Sequence, residues 1–167
     1  NLFMRPKGFT LIELLVVISI IGLLSSVVIA SLNSARIDAR NTARNSIAIQ
    51  LRNAFNLAYN GSYPNVAVYY PCLTTVCSGG WSPHVGNATV DAYLSPYMKK
   101  PTDPVGGARG YGGYILFTPS NWVGLPPTWP AAYYIDYLLE PGGECPTGSY
   151  YDATANYVQC IFRVDIL

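Results

Sequence analysis

The chain has 167 residues, enough for one domain with an appendage, and half of them are apolar or aromatic while only 11% are charged, against roughly 25% in ordinary soluble domains. So large a surplus has to be segregated. It collects in Phe9 to Ala30, which holds one charge, Glu13, and no proline, and this excludes a fully soluble cytoplasmic enzyme. The net charge of +1 hides an asymmetry. Arg5, Lys7, Arg36, Arg40, Arg44 and Arg52 against Glu13 and Asp38 leave residues 1–59 at +4, and the remaining charges leave residues 60–167 at −3, the pattern of a basic stem and an acidic head.

Residues 1–8 form a basic leader, with Arg5 and Lys7 just before the apolar run. Such charges stay on the cytoplasmic side, so the chain beyond the run is expected to face outward. Residues 9–30 are expected as a membrane-spanning helix of about 33 Å at 1.5 Å per residue, enough for a hydrocarbon core of about 30 Å. The run is longer than the apolar part of a secretory signal and continues into more helix. One carboxylate, Glu13, sits early in it, where insertion costs about 2.5–3.5 kcal/mol at mid-bilayer and less near the interface.

Lys7-Gly8-Phe9-Thr10-Leu11-Ile12-Glu13 leading into an unbroken apolar helix resembles the start of the type IV pilin superfamily. That resemblance implies cleavage by the prepilin peptidase between Gly8 and Phe9, methylation of the new amino terminus on Phe9, and a role for Glu13 in aligning an incoming subunit by pairing with a neighbour's amino terminus. Cleavage would remove Arg5 and Lys7 and create one cation at Phe9, so the glutamate would gain a counter-charge, in another subunit or one turn back in its own, that makes its burial tolerable. Gly22 matches a position where the filament helix loosens, although Ala30 stands where many relatives have proline.

From Ser31 to Tyr59, apolar residues such as Leu32, Ile47, Leu51, Ala54 and Phe55 recur at three- and four-residue steps, an amphipathic continuation of the same helix. Asn60-Gly61 and Pro64 end it, giving one helix from Phe9 to Tyr59 of about 77 Å. Arg36, Arg40, Arg44 and Arg52 lie near one face of it. Three readings stay open for this stripe: bridges to acidic heads of neighbouring subunits, contact with nucleic-acid phosphate, or a solvated surface. With a net acidic head, no nucleic-acid partner is expected.

Residues 60–167 turn to Gly, Pro, Tyr and Thr with short strand-like runs at Val66–Tyr70, Gly113–Phe117, Ala132–Leu139 and Tyr157–Ile166. A short helix is expected over Thr89–Met98 with Thr89 as its cap. The economical architecture is α+β, with the second half of the long helix packed on an antiparallel sheet of three or four strands, and this is also the type IV pilin fold that the resemblance implies. The segment Tyr93 to Pro104 is similar to the short helix and Pro-Asp-Pro-like turn that lead into the first sheet strand of bacterial pilins.

Four cysteines allow three connectivities. Cys72 with Cys77 and Cys145 with Cys160 each close a short loop, and the second matches in placement the disulfide-closed C-terminal loop of many pilins. Without Cys-x-x-Cys or a histidine cluster, no zinc site is expected. Asp136, Glu140, Glu144 and Asp152 lack the alternation and turn glycine of a calcium loop. No cofactor is implied, and neither a nucleophile elbow nor a phosphate loop is present, so the chain is not expected to be an enzyme.

The resemblance implies as the leading expectation a major-type pilin, a structural subunit that would wait in the inner membrane and polymerise with copies of itself into a surface filament for adhesion, attachment or motility. Its partners are the prepilin peptidase and the inner-membrane assembly machinery. The alternatives are a pseudopilin of a type II secretion system and a minor pilin of a DNA-uptake pilus.

Overall fold

The computed structural model describes residues 8–67, 70–78, 84–104, 112–120, 129–147 and 149–165. Its elements, in chain order, are α1 (Leu11–Ala58), α2 (Ala88–Leu94), β1 (Ile115–Phe117), β2 (Tyr134–Leu139), β3 (Tyr150–Ala153) and β4 (Val158–Arg163). The chain divides into two units, Asn1–Ile37 and Asp38–Leu167.

In the first unit α1 is long and apolar enough to cross a membrane, and its large apolar side chains from Leu11 to Leu32 are exposed. The hydroxyls of Ser19 and Ser26 donate to the carbonyls of Leu15 and Leu23, each at 2.8 Å. These polar groups are thereby satisfied within the helix, as a lipid surrounding demands.

The second unit is an antiparallel sheet in the order β1-β2-β4-β3 laid on the C-terminal part of α1. One face of the helix, with Ala48, Leu51, Ala54 and Phe55, joins Leu116, Ile135, Tyr137, Leu139, Cys160 and Phe162 in the main core. Inward and outward residues alternate along β2 and β4, so Phe117, Tyr134 and Ile161 make a second, smaller cluster on the opposite face of the sheet, together with Ala132. This is the α+β layout of the type IV pilin fold. Gly61, at φ +108°, turns the chain just past α1, where the Asn-Gly pair announces a stop.

Three local expectations are corrected. The cap of α2 is Asn87, whose Oδ1 accepts from the N–H groups of Thr89 and Val90 at 3.0 and 3.2 Å; a side-chain acceptor reaches the second or third residue after it, and the chain starts its turn two residues before Thr89. No strand forms at Val66, Ala67 or Tyr70, where the Val66 carbonyl instead accepts from the Thr118 hydroxyl; residues 68–69 lie outside the described part. The fourth strand is β3, in a stretch expected as turn. It forms because Thr154 folds the chain back, its Oγ1 accepting from the N–H groups of Asn156 and Tyr157 and setting β3 against β4.

Both short-loop cysteine pairings are present: Cys72–Cys77, five residues apart, and Cys145–Cys160, fifteen apart. The smaller loop lies along the edge of β1, with single-residue pairings Cys72 to Ile115 and Ser78 to Gly112. It occupies backbone groups that an open edge strand would present to another chain. Gly113 sits inside this cover at φ +97°, and a Cβ there would stand 2.5 Å from Cys77 Sγ and 2.9 Å from the Val76 carbonyl. Gly113→Ala is therefore expected to destabilise the head by roughly 2–4 kcal/mol, measured as a fall in the thermal midpoint; an unchanged midpoint sinks the argument.

Candidate functional site

The start of α1 is built by the side chains of Thr10 and Glu13. Thr10 is its N-cap: the first helical bond runs from Leu14 N–H to the Thr10 carbonyl at 3.3 Å. The Thr10 hydroxyl accepts from the Glu13 N–H at 3.2 Å, and the Glu13 carboxylate takes the Thr10 N–H at 2.8 Å and the Thr10 hydroxyl at 2.9 Å. This is a reciprocal capping box, Thr-x-x-Glu, which satisfies donors that the first turn leaves free. Glu13 thus has a local task in the single chain. Its spacing from Thr10 carries that signal in the sequence, whereas the family resemblance assigns the glutamate only a partner in another subunit.

Gly8 and Phe9 on either side of the expected cleavage bond are both exposed. Arg5 and Lys7 lie outside the described residues. Gly22 is helical within α1, and a Cβ added there would meet nothing within 4 Å, so the single chain sets no local demand for glycine.

The four arginines of the expected stripe have different surroundings. Arg36 is exposed. Arg40 makes a bidentate pair with Glu140, Nε to Oε1 at 2.6 Å and Nη2 to Oε2 at 2.7 Å. Arg44 is buried, its side chain only 1% exposed, and reaches Glu140 Oε1 at 3.1 Å, Asp103 Oδ1 at 3.3 Å and the Pro104 carbonyl at 2.9 Å. Arg52 stands over the Phe162 ring, 5.5 Å from its centroid. For Arg40 and Arg44 the acidic partners belong to the same chain, because the helix face that meets the sheet carries them inward.

Around this ion network the helix is held by amides. Asn41 accepts from the Glu140 N–H at 2.9 Å and donates to its carbonyl at 3.3 Å, and Asn45 donates to the Glu144 carbonyl and accepts from the Tyr137 hydroxyl, both at 2.7 Å. The hydrogen bonds from Arg40 above all, with those from Arg44, hold the Glu140 carboxyl below its usual range. Asp103 moves the other way, since its burial outweighs the attraction of Arg44.

The remaining acids have separate places. Asp136 is buried on the sheet face away from α1, with Ile115 and Ile161 across from it on the neighbouring strands. Its Oδ2 accepts from Gln159 Nε2 at 2.7 Å, while Oδ1 has no hydrogen-bond partner among the described residues. Burial pushes its carboxyl up to about 7, against the lowering by Gln159 and the Tyr137 N–H. Asp152 is exposed and Glu144 lies at the head surface in the 142–147 loop. Among the described residues no three metal-ligating side chains stand together.

A family model described as the prokaryotic N-terminal methylation motif matches residues 3–29. The matched stretch contains the candidate cleavage bond, the capping box and most of the exposed apolar helix. No curated protein and no solved structure matches the chain.

Proposed function

We propose, from the premise that the chain belongs to the type IV pilin superfamily, that it is the major structural subunit of a type IV pilus. One observation carries the reading: the methylation motif opens a helix whose apolar side chains are exposed from Leu11 to Leu32. A membrane can cover that surface before assembly and other copies of the helix can cover it afterwards, by packing that replaces lipid contact with helix contact. The motif belongs to a structural family and implies processing by the prepilin peptidase. Cleavage between Gly8 and Phe9 would place a methylated amine one residue before Thr10, available to the carboxylate of a neighbour's Glu13. Two disulfide-closed loops in the head fit a head that faces an oxidising compartment outside the cytoplasm.

Electron microscopy of sheared appendages together with the N-terminal mass of their subunit tests this. A long filament of one subunit beginning at methylated Phe9 is the expected result. A short periplasmic assembly would point to the pseudopilin, and a chain that stays monomeric after cleavage would overturn the reading.

Glu13→Gln separates the glutamate's two tasks. Glutamine still serves a capping box, so the helix start is kept while the charge is lost. Filament yield is expected to fall by about tenfold or more, with normal cleavage and membrane level, since an unpaired amine in a low-dielectric bundle costs several kcal/mol. Wild-type yield from this variant would remove charge pairing from the mechanism.

A further inference from the structure

Resting on the reading of the chain as a polymerising subunit, we infer that a groove on the head receives Arg36 of a second copy. The groove, of about 420 Å³, runs between α1 and the 142–147 loop and is lined by Asp38, Asn41, Asn45, Gly143, Glu144 and Thr147 among others. Its amides are already engaged: Asn41 with both backbone groups of Glu140, Asn45 with Glu144 and Tyr137. Its two carboxylates are not. Among the described residues neither Asp38 nor Glu144 has an ion-pair partner, although other acids of the head do. Among the described residues the lining of the groove therefore carries two negative charges and no cation.

Among the described residues most cations are committed. Arg40 and Arg44 pair with Glu140 and Asp103, Lys100 with Asp91, Arg163 with Asp165, and Arg52 lies over Phe162. Arg36 and Lys99 have no acidic partner among the described residues. Of the two, Arg36 stands on α1, the helix through which copies would associate, so the surfaces brought to it belong to other copies. Its planar guanidinium can take a carboxylate on each side. A pair of this kind fixes register between subunits more than it adds raw affinity, which is what a helical polymer requires of a polar contact beside a featureless apolar bundle.

Charge exchange tests the assignment in the full-length chain, in cells that make filaments. Arg36→Glu is expected to lower sheared filament yield by about tenfold, because it sets like charges together, and Glu144→Arg is expected to do the same. The double variant should recover most of the loss. Equal amounts of cleaved subunit in the membrane confirm that the variants fold. Arg36→Glu with wild-type yield, or a double variant no better than either single one, overturns the pairing while leaving the function above intact. Rescue of Glu144→Arg by Lys99→Glu instead would also overturn it. A wild-type chain that makes no filament overturns both.

Discussion

Arg44→Ala lowers the stability of the head by about 3–5 kcal/mol, the cost of stranding a buried charge after its partner is removed. The guanidinium is buried and joins three acceptors on two loops: Asp103, the Pro104 carbonyl and Glu140. Without it Glu140 keeps Arg40, but Asp103 loses the only cation paired with it among the described residues. Arg40→Ala is the control. That side chain is 33% exposed and Glu140 keeps Arg44 when it is removed, so the loss is expected to be smaller, about 1–2 kcal/mol. Thermal unfolding of the detergent-solubilised chain, followed by the near-ultraviolet signal of the head's tyrosines, measures both. Equal losses for the two variants would contradict the structure, because they differ in burial far more than in bond count.

Asp136→Asn is expected to stabilise the head, and to do so increasingly as pH rises. The folded carboxyl titrates at about 7, raised from 3.8. A raised acid binds its proton more tightly in the folded chain, so folding is favoured below the unfolded value near 4 and that advantage is lost as pH rises toward 7. At about 1.4 kcal/mol per unit, a rise of roughly three units amounts to about 4 kcal/mol by pH 8. The Asn variant cannot ionise, and its amide oxygen can still accept from Gln159. Its stability should match the parent near pH 4 and exceed it by about 4 kcal/mol at pH 8. A difference that stays constant across this range would show that the carboxylate finds a partner when it ionises. Glu140 acts in the opposite sense. Its depressed carboxyl contributes stability that is lost on acidification, which affects parent and variant alike and cancels in the comparison.

The long helix is legible in the sequence almost to its ends: Phe9–Tyr59 expected, Leu11–Ala58 found. Its signals are additive over many residues, an apolar run, then a three-four stripe, then Asn-Gly. The disulfides are legible because short loops close easily. β3 is not, since Tyr150–Ala153 carries no apolar alternation of its own and owes its conformation to the Thr154 turn and to β4. The arginine stripe is visible as spacing, but spacing cannot say which members face a sheet that is far away in sequence. Arg44 meets Glu140 across 96 residues. Asp136 is hidden for a similar reason: inside a run of strand-forming residues, an acid that alternation places outward reads as solvated, and only the fold reveals that this face of the sheet is buried too.

The capping box at Thr10 and Glu13 bears on how reversible such a filament would be. A bare carboxylate entering an apolar bundle would gain the full strength of its first ion pair, and the subunit would be hard to extract. Here the carboxylate already holds two donors from Thr10. Under the proposed pairing, docking becomes an exchange of one donor set for another, and withdrawing the subunit returns the glutamate to its own helix. Exchange keeps the well shallow in both directions, so growth and shrinkage of the polymer can share one path.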